Sequence, residues 1–147
     1  MPTTDADVEA LTQLLGRAPQ AAFEVVVRGL HGEPIVIRNA PLLDDGTPMP
    51  TRYWLVDRTL KVRVAQLESD GGVRGAESAV DPDALCAAHE QYAIERDRAL
   101  PPGHLGPRPA GGVGGTRRGV KCLHAHYAYF LAGGDDPVGR WVDEHLR

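Results

Sequence analysis

The spacing of hydrophobic residues predicts one helix followed by three strands in the N-terminal part of the chain. Apolar side chains recur every three or four positions over residues 5–17, which is typical of an amphipathic helix. Residues 22–28 and 34–38 are rich in β-branched side chains and flank a glycine-containing turn, so they predict a β-hairpin. A short apolar segment at residues 53–57 predicts a third strand.

The same analysis predicts four helices in the rest of the chain. Residues 59–67 suit a strand or a helix, and a helix is favoured because polar residues continue it to a glycine-containing stop. Asp81-Pro82 is a capped helix start, and that helix should run to about Leu100. Further helices are expected at residues 120–132 and after Asp136-Pro137. The pattern predicts a single α+β domain over residues 1–147, with a small, mainly antiparallel sheet covered by C-terminal helices.

Composition narrows the class of protein. The chain of 147 residues is 42% hydrophobic and 24% charged, which is ordinary for a soluble globular protein. Two cysteines are too few for a disulfide framework, and no apolar run approaches the roughly 20 residues that span a bilayer. The N-terminus also lacks the pattern of a signal peptide. We therefore expect a reduced, cytoplasmic protein with no membrane segment.

Charge is distributed unevenly along the chain. The formal net charge is -4, and there is no specific signal for nucleic-acid binding. Nevertheless, residues 99–133 contain no Asp or Glu. Positive charges gathered in one region favour a small anionic or phosphorylated ligand. The cations of this region are Arg98, Arg108, Arg117, Arg118 and Lys121.

A glycine- and proline-rich segment at residues 101–118 leads into the most reactive part of the sequence. A loop of this length inside a compact domain is usually functional or disordered, and we interpret this one as a flexible functional loop. Cys122, His124 and His126 follow it. On a regular helix that begins at Val120, Cys122 and His126 lie one turn apart and His124 lies on the opposite flank. All three converge only if the helix begins later.

Three interpretations of this segment remain open. In the first, Cys122 and His126 bind zinc or iron with further ligands from elsewhere, and Cys86 with His89 is a candidate second pair that would complete a Cys2His2 set. In the second, the helix start and its cations bind a phosphate or carboxylate, and Cys122 acts as a nucleophile with His126 as acid–base partner. In the third, these residues only pack the core. The candidate anion-binding residues are Gly115, Thr116, Arg117, Arg118 and Lys121.

Three segments carry a resemblance to a known family: Asp45-Gly-Thr-Pro-Met-Pro-Thr-Arg-Tyr-Trp-Leu55, Gly119-Val-Lys-Cys-Leu-His-Ala-His126 and Asp136-Pro-Val-Gly139. From about Val25 onward the chain resembles the actinobacterial family catalogued as domain of unknown function 501. The resemblance implies a small cytoplasmic bacterial protein and transfers no catalytic residue. Members are often encoded near a cell-division initiator and an exopolyphosphatase-type enzyme, which adds the hypothesis of a non-catalytic adaptor for a protein partner.

The resemblance also marks the Asp45-Gly-Thr-Pro segment as a second motif. Asp44 or Asp45 could supply a carboxylate to a metal or orient an imidazole, or it could simply cap a turn. The leading function is therefore a metal- or anion-binding site at the start of the helix at 120–132. The alternatives are a cysteine-dependent hydrolase or transferase that acts on a phosphorylated substrate, and the adaptor. The candidate metal ligands are Cys122, His124, His126 and Asp45.

Overall fold

The computed structural model describes residues 3–146, which form a three-stranded antiparallel sheet and six α-helices. The strands are β1 (Phe23–Arg28), β2 (Pro34–Asn39) and β3 (Tyr53–Leu55), in that order across the sheet. This architecture confirms the α+β class. The helices are α1 (Asp5–Leu15), α2 (Arg58–Ser69), α3 (Gly72–Ala79), α4 (Pro82–Arg98), α5 (Leu123–Leu131) and α6 (Pro137–His145).

The central strand β2 separates two hydrophobic clusters. Because successive side chains of a strand point to opposite faces, Val36 and Ile37 enter different clusters. Val36 packs in the larger cluster with residues of α5 and α6. Ile37 packs with Leu11 of α1 and Phe23 of β1. The sheet is therefore covered on both faces, as the hydrophobic alternation of β2 requires.

Helix α5 lies at the centre of the larger cluster. Six of its nine residues are buried: Leu123, Ala125, His126, Tyr127, Ala128 and Tyr129. A helix that is apolar on nearly all sides must be surrounded, and α5 contacts β3, α2 and α6. No helix within residues 3–146 is both long and apolar enough to cross a membrane.

Most local predictions agree with the structure. Asp81 caps α4 through Ala84 N–H at 3.0 Å, and Pro82 occupies its first turn, as the sequence indicates. The ambiguous segment at 59–67 is helical in α2, capped by Asp57. Helix α3 was not predicted, because its eight residues include two glycines and it begins within the Asp70-Gly-Gly72 segment that predicts a helix stop.

The predicted start of the last-but-one helix at Val120 is wrong. Helix α5 begins at Leu123, and Cys122 is its N-cap residue with extended backbone angles (φ -147°, ψ 123°). Two carboxylates that are distant in the sequence bind the backbone just before and at the start of α5: Glu77 accepts a hydrogen bond from Val120 N–H and Glu68 accepts one from Leu123 N–H, both at 2.9 Å. The later start therefore changes which side chains meet.

Candidate metal centre

The glycine-rich segment before Cys122 is hydrogen-bonded at two points to the imidazole of His89. His89 Nδ1 accepts a hydrogen bond from Val113 N–H at 3.0 Å, and Nε2 donates to Gly119 O at 2.8 Å. These two bonds define the neutral tautomer. Burial lowers the pKa of His89, which also favours the neutral ring. A Cβ at Gly112 would lie 2.7 Å from His89 Cβ, so only glycine allows this approach.

Arg96 of α4 fixes the beginning of the same segment. The side chain is 1% exposed, and its Nη1 donates to Pro50 O at 3.0 Å and to Gly111 O at 2.9 Å. Its Nε donates to Asp97 at 3.1 Å. One guanidinium thus joins the proline-rich connection before β3 to the glycine-rich segment. Helix α4 therefore binds the glycine-rich segment through two side chains, His89 and Arg96.

The later start of α5 brings Cys122 together with His124 and with Glu68 of α2. Cys122 Sγ lies 3.8 Å from His124 Nδ1, and Glu68 Oε1 lies 3.2 Å from the same nitrogen. The three atoms all lie within 4.8 Å of one another. A thiol, an imidazole and a carboxylate are the three side-chain types that bind zinc.

These separations are close to those of a tetrahedral zinc site. Zinc bonds of about 2.0–2.3 Å at tetrahedral angles place neighbouring ligand atoms about 3.4–3.6 Å apart. The observed separations of 3.2 Å and 3.8 Å bracket that range. The third pair, Glu68 Oε1 and Cys122 Sγ, also lies within 4.8 Å.

The remaining polar atoms of His124 and Glu68 are held by the backbone. His124 Nε2 donates to Lys61 O at 3.1 Å, which leaves Nδ1 as the ligand atom of a neutral ring. Glu68 Oε2 accepts from Leu123 N–H, so Oε1 is the oxygen that faces the cysteine and histidine. Metal-binding histidines usually carry such a second contact, which fixes the ring orientation.

Without a metal, the same three groups favour a charged pair. Burial alone would raise the pKa of the Cys122 thiol, but His124 and the backbone N–H of Ala125 favour the thiolate, and the net pKa is lowered. The pKa of His124 is raised, chiefly by Cys122, with further support from Lys61 O and Glu68. Both shifts are in the direction that favours a thiolate beside an imidazolium.

His126 does not join Cys122, so the predicted pairing of these two side chains is wrong. His126 is fully buried on the other side of α5, where its Nδ1 lies 2.7 Å from Asp136 Oδ2. Asp136 Oδ1 accepts from the N–H groups of Val138 and Gly139 and thereby caps α6. Within residues 3–146 His126 Nε2 has no hydrogen-bond partner. Because Cys122 precedes the helix, the one-turn spacing does not apply to it.

Asp45 and Cys86 also lie outside the Glu68–Cys122–His124 group. Asp45 is exposed and accepts from Thr47 N–H at 2.9 Å, which is the turn-capping role. Cys86 is exposed and has only Glu90 near its sulfur, at 4.0 Å. Both nitrogens of His89 bind backbone groups. The set of Cys86 and His89 with Cys122 and His126 therefore does not assemble.

The predicted anion-binding residues do not converge on Cys122. Arg117 lines a separate cavity of about 370 Å³ beside Arg96 and Cys86. Thr116 Oγ1 donates to Arg118 O at 2.8 Å, and Gly115, Arg118 and Lys121 are exposed. The cavity that borders Cys122 instead contains Lys61, a residue that sequence reasoning missed. Glu68 was missed too, because nothing local links a glutamate of α2 to a cysteine 54 positions later.

Comparison with known proteins then places the chain in a family. A family described as protein of unknown function (DUF501) matches residues 25–144, well over half of the chain. The chain belongs to the DUF501 family. This confirms the resemblance carried by the three sequence segments. No curated protein and no solved structure matches the chain.

Proposed function

We propose that this DUF501 protein binds one transition-metal ion, with zinc as the best match, through Glu68 Oε1, Cys122 Sγ and His124 Nδ1. The convergence of these three atoms within 4.8 Å carries the proposal. Zinc accepts oxygen, nitrogen and sulfur ligands together, whereas magnesium and calcium prefer oxygen alone. Iron(II) is the second choice for the same ligand set. A reducing cytoplasm would keep Cys122 available as a thiolate.

Three protein ligands would leave one tetrahedral position for water or a ligand from solution. Structural zinc sites usually close the fourth position with a protein side chain, whereas catalytic sites leave it open. Cys122 and His124 both line a cavity, so the open position would be accessible. A zinc-bound water in such a site ionises near neutral pH, which supports hydrolytic chemistry as the kind of reaction to test.

The test is metal binding by untagged protein and matched cysteine variants. Protein equilibrated with zinc and then dialysed should retain one equivalent by elemental analysis. Cys122→Ser and Glu68→Gln should lose it. Cys86→Ser is the control, because Cys86 is exposed and lies outside the group. With cobalt(II), the thiolate charge-transfer band should appear in wild type and Cys86→Ser only. Retention of the metal in Cys122→Ser would refute the site.

A second candidate is thiol chemistry by the metal-free protein. The lowered pKa of Cys122 and the raised pKa of His124 support it. A thiolate in this position could attack an electrophilic substrate in the cavity, with His124 as acid–base partner in place of the predicted His126. The predicted phosphate ligands Arg117 and Arg118 are not in that cavity, so Lys61 is its candidate anion contact.

Alkylation kinetics distinguish the two candidates. Metal-free wild type should react with iodoacetamide at Cys122 well below the ordinary thiol pKa, and His124→Gln should shift that pH profile upward. Zinc should protect Cys122 if it is a ligand, while Cys86 continues to react. If zinc binds nowhere near the thiol and Cys122 alkylates equally with and without it, thiol chemistry becomes the leading function.

A further inference from the structure

The cavity next to the metal centre combines apolar walls with one cation. It has a volume of about 420 Å³ and borders Cys122 and His124 directly. Trp54, Leu55 and Ala125 supply the apolar surface. Lys61 of α2 is the cation, and none of the described residues that line the cavity is Asp or Glu. The volume is at the small end of the range for small-molecule sites.

The charges around this cavity sum to a single positive charge once zinc is bound. The two positive charges of zinc are matched by the carboxylate of Glu68 and the thiolate of Cys122. Lys61 then remains, and within the described part of the chain it forms no ion pair. A ligand with one negative charge would neutralise the loaded cavity. A dianion would leave an excess negative charge against apolar walls, which is costly.

We propose that the metal-loaded cavity binds small monocarboxylates that carry an apolar body. This inference rests on the proposed metal site. One carboxylate oxygen takes the open coordination position, and the other faces the ammonium group of Lys61. The apolar body lies against Trp54. The carboxylate thus contacts the metal and the ammonium group at one end of the cavity, and the apolar body contacts Trp54 and the aliphatic side chains at the other end.

Two features of the site support this division. Lys61 belongs to the same helix as Glu68, and its carbonyl accepts the hydrogen bond from His124 Nε2, so its backbone is fixed next to the metal ligands. Trp54 is half-buried in β3: it packs against the cluster that holds Ile37, its partner across the sheet, and it also borders the cavity. An aromatic wall of this kind favours a planar or aliphatic body over a polar one.

The test is calorimetric titration of zinc-loaded protein with benzoate, acetate and benzamide. Metal content is measured first, so that a failure of the metal site is recognised separately. Benzoate should bind, acetate should bind at least about ten-fold more weakly because it lacks the ring, and neutral benzamide should not bind. Lys61→Met should weaken benzoate binding by about five-fold, as expected for an exposed ion pair. Arg63→Met, an exposed cation of the same helix outside the cavity, is the control.

Each outcome decides the proposal. Benzoate binding that is weakened by Lys61→Met, unaffected by Arg63→Met and absent without zinc would support it. If zinc is bound but benzoate does not bind, or if Lys61→Met and Arg63→Met have equal effects, the carboxylate proposal is wrong and the metal site stands. If the protein retains no metal, the proposed function and this inference both fail.

Discussion

The buried guanidinium of Arg96 gives the sharpest test of how the glycine-rich segment is held. Arg96→Met keeps most of the aliphatic side chain but removes the hydrogen bonds to Pro50 O at 3.0 Å and Gly111 O at 2.9 Å. A hydrogen bond from a charged group contributes roughly 1.5–3 kcal/mol. The bond to Asp97 adds little, because that carboxylate is partly exposed. The loss of these two bonds should therefore lower the free energy of unfolding by about 3–6 kcal/mol.

This loss is large enough to measure and small enough to leave a folded protein. For a chain of this size, 1 kcal/mol corresponds to about 2–4 °C in melting temperature, so Tm should fall by about 6–24 °C. Urea unfolding followed by circular dichroism gives the free energy directly. Arg98→Met is the control, since Arg98 is exposed at the end of the same helix. A loss below about 1 kcal/mol for Arg96→Met would show that the guanidinium does not anchor the segment.

Three further predictions concern the surroundings of the site. Burial lowers the pKa of folded His89 below its ordinary value of 6.5, so the unfolded chain takes up a proton first as the pH falls. The free energy of unfolding, measured by urea titration, should therefore decline as the pH falls below about 6.5, and it should decline less in His89→Gln. Gly112→Ala should destabilise the protein in thermal unfolding more than Gly115→Ala, because a Cβ at Gly112 would lie 2.7 Å from His89, whereas a Cβ at Gly115 has nothing within 4 Å and meets only the strain of its positive φ (81°); equal losses would contradict the close approach. Asp136→Ala should cost about 3–5 kcal/mol by breaking a fully buried pair, whereas exposed Asp135→Ala should cost under about 0.5 kcal/mol by the same assay.

Local signals account for the parts of the fold that sequence reasoning predicted. The hairpin of β1 and β2 follows from β-branched segments around a turn, and α4 and α6 follow from Asp-Pro starts whose carboxylates do cap them. Helix α3 has no comparable signal. The start of α5 was misplaced because Glu77 and Glu68 bind the backbone on either side of residues 121–122, and hydrogen bonds from other helices leave no trace in the local pattern.

The same physical reason explains why only part of the candidate site could be predicted from the sequence. Cys122 and His124 could be identified from their chemistry and from the segment that precedes them. Glu68 could not, because it reaches the site only through the packing of α2 against α5. The sequence analysis predicted that Cys122, His124 and His126 converge only if the helix begins later. The helix does begin later, and Cys122 and His124 lie together, but His126 faces Asp136.

The bonds of Arg96 also bear on the order in which the chain folds. Its Nη1 binds carbonyl groups that lie 46 residues before it and 15 residues after it. A guanidinium gives up its water only when replacement acceptors are in place, so both segments must have arrived before this side chain is buried. The glycine-rich segment that precedes Cys122 is therefore placed in the late, long-range part of folding, after α4 has formed from its own local signals.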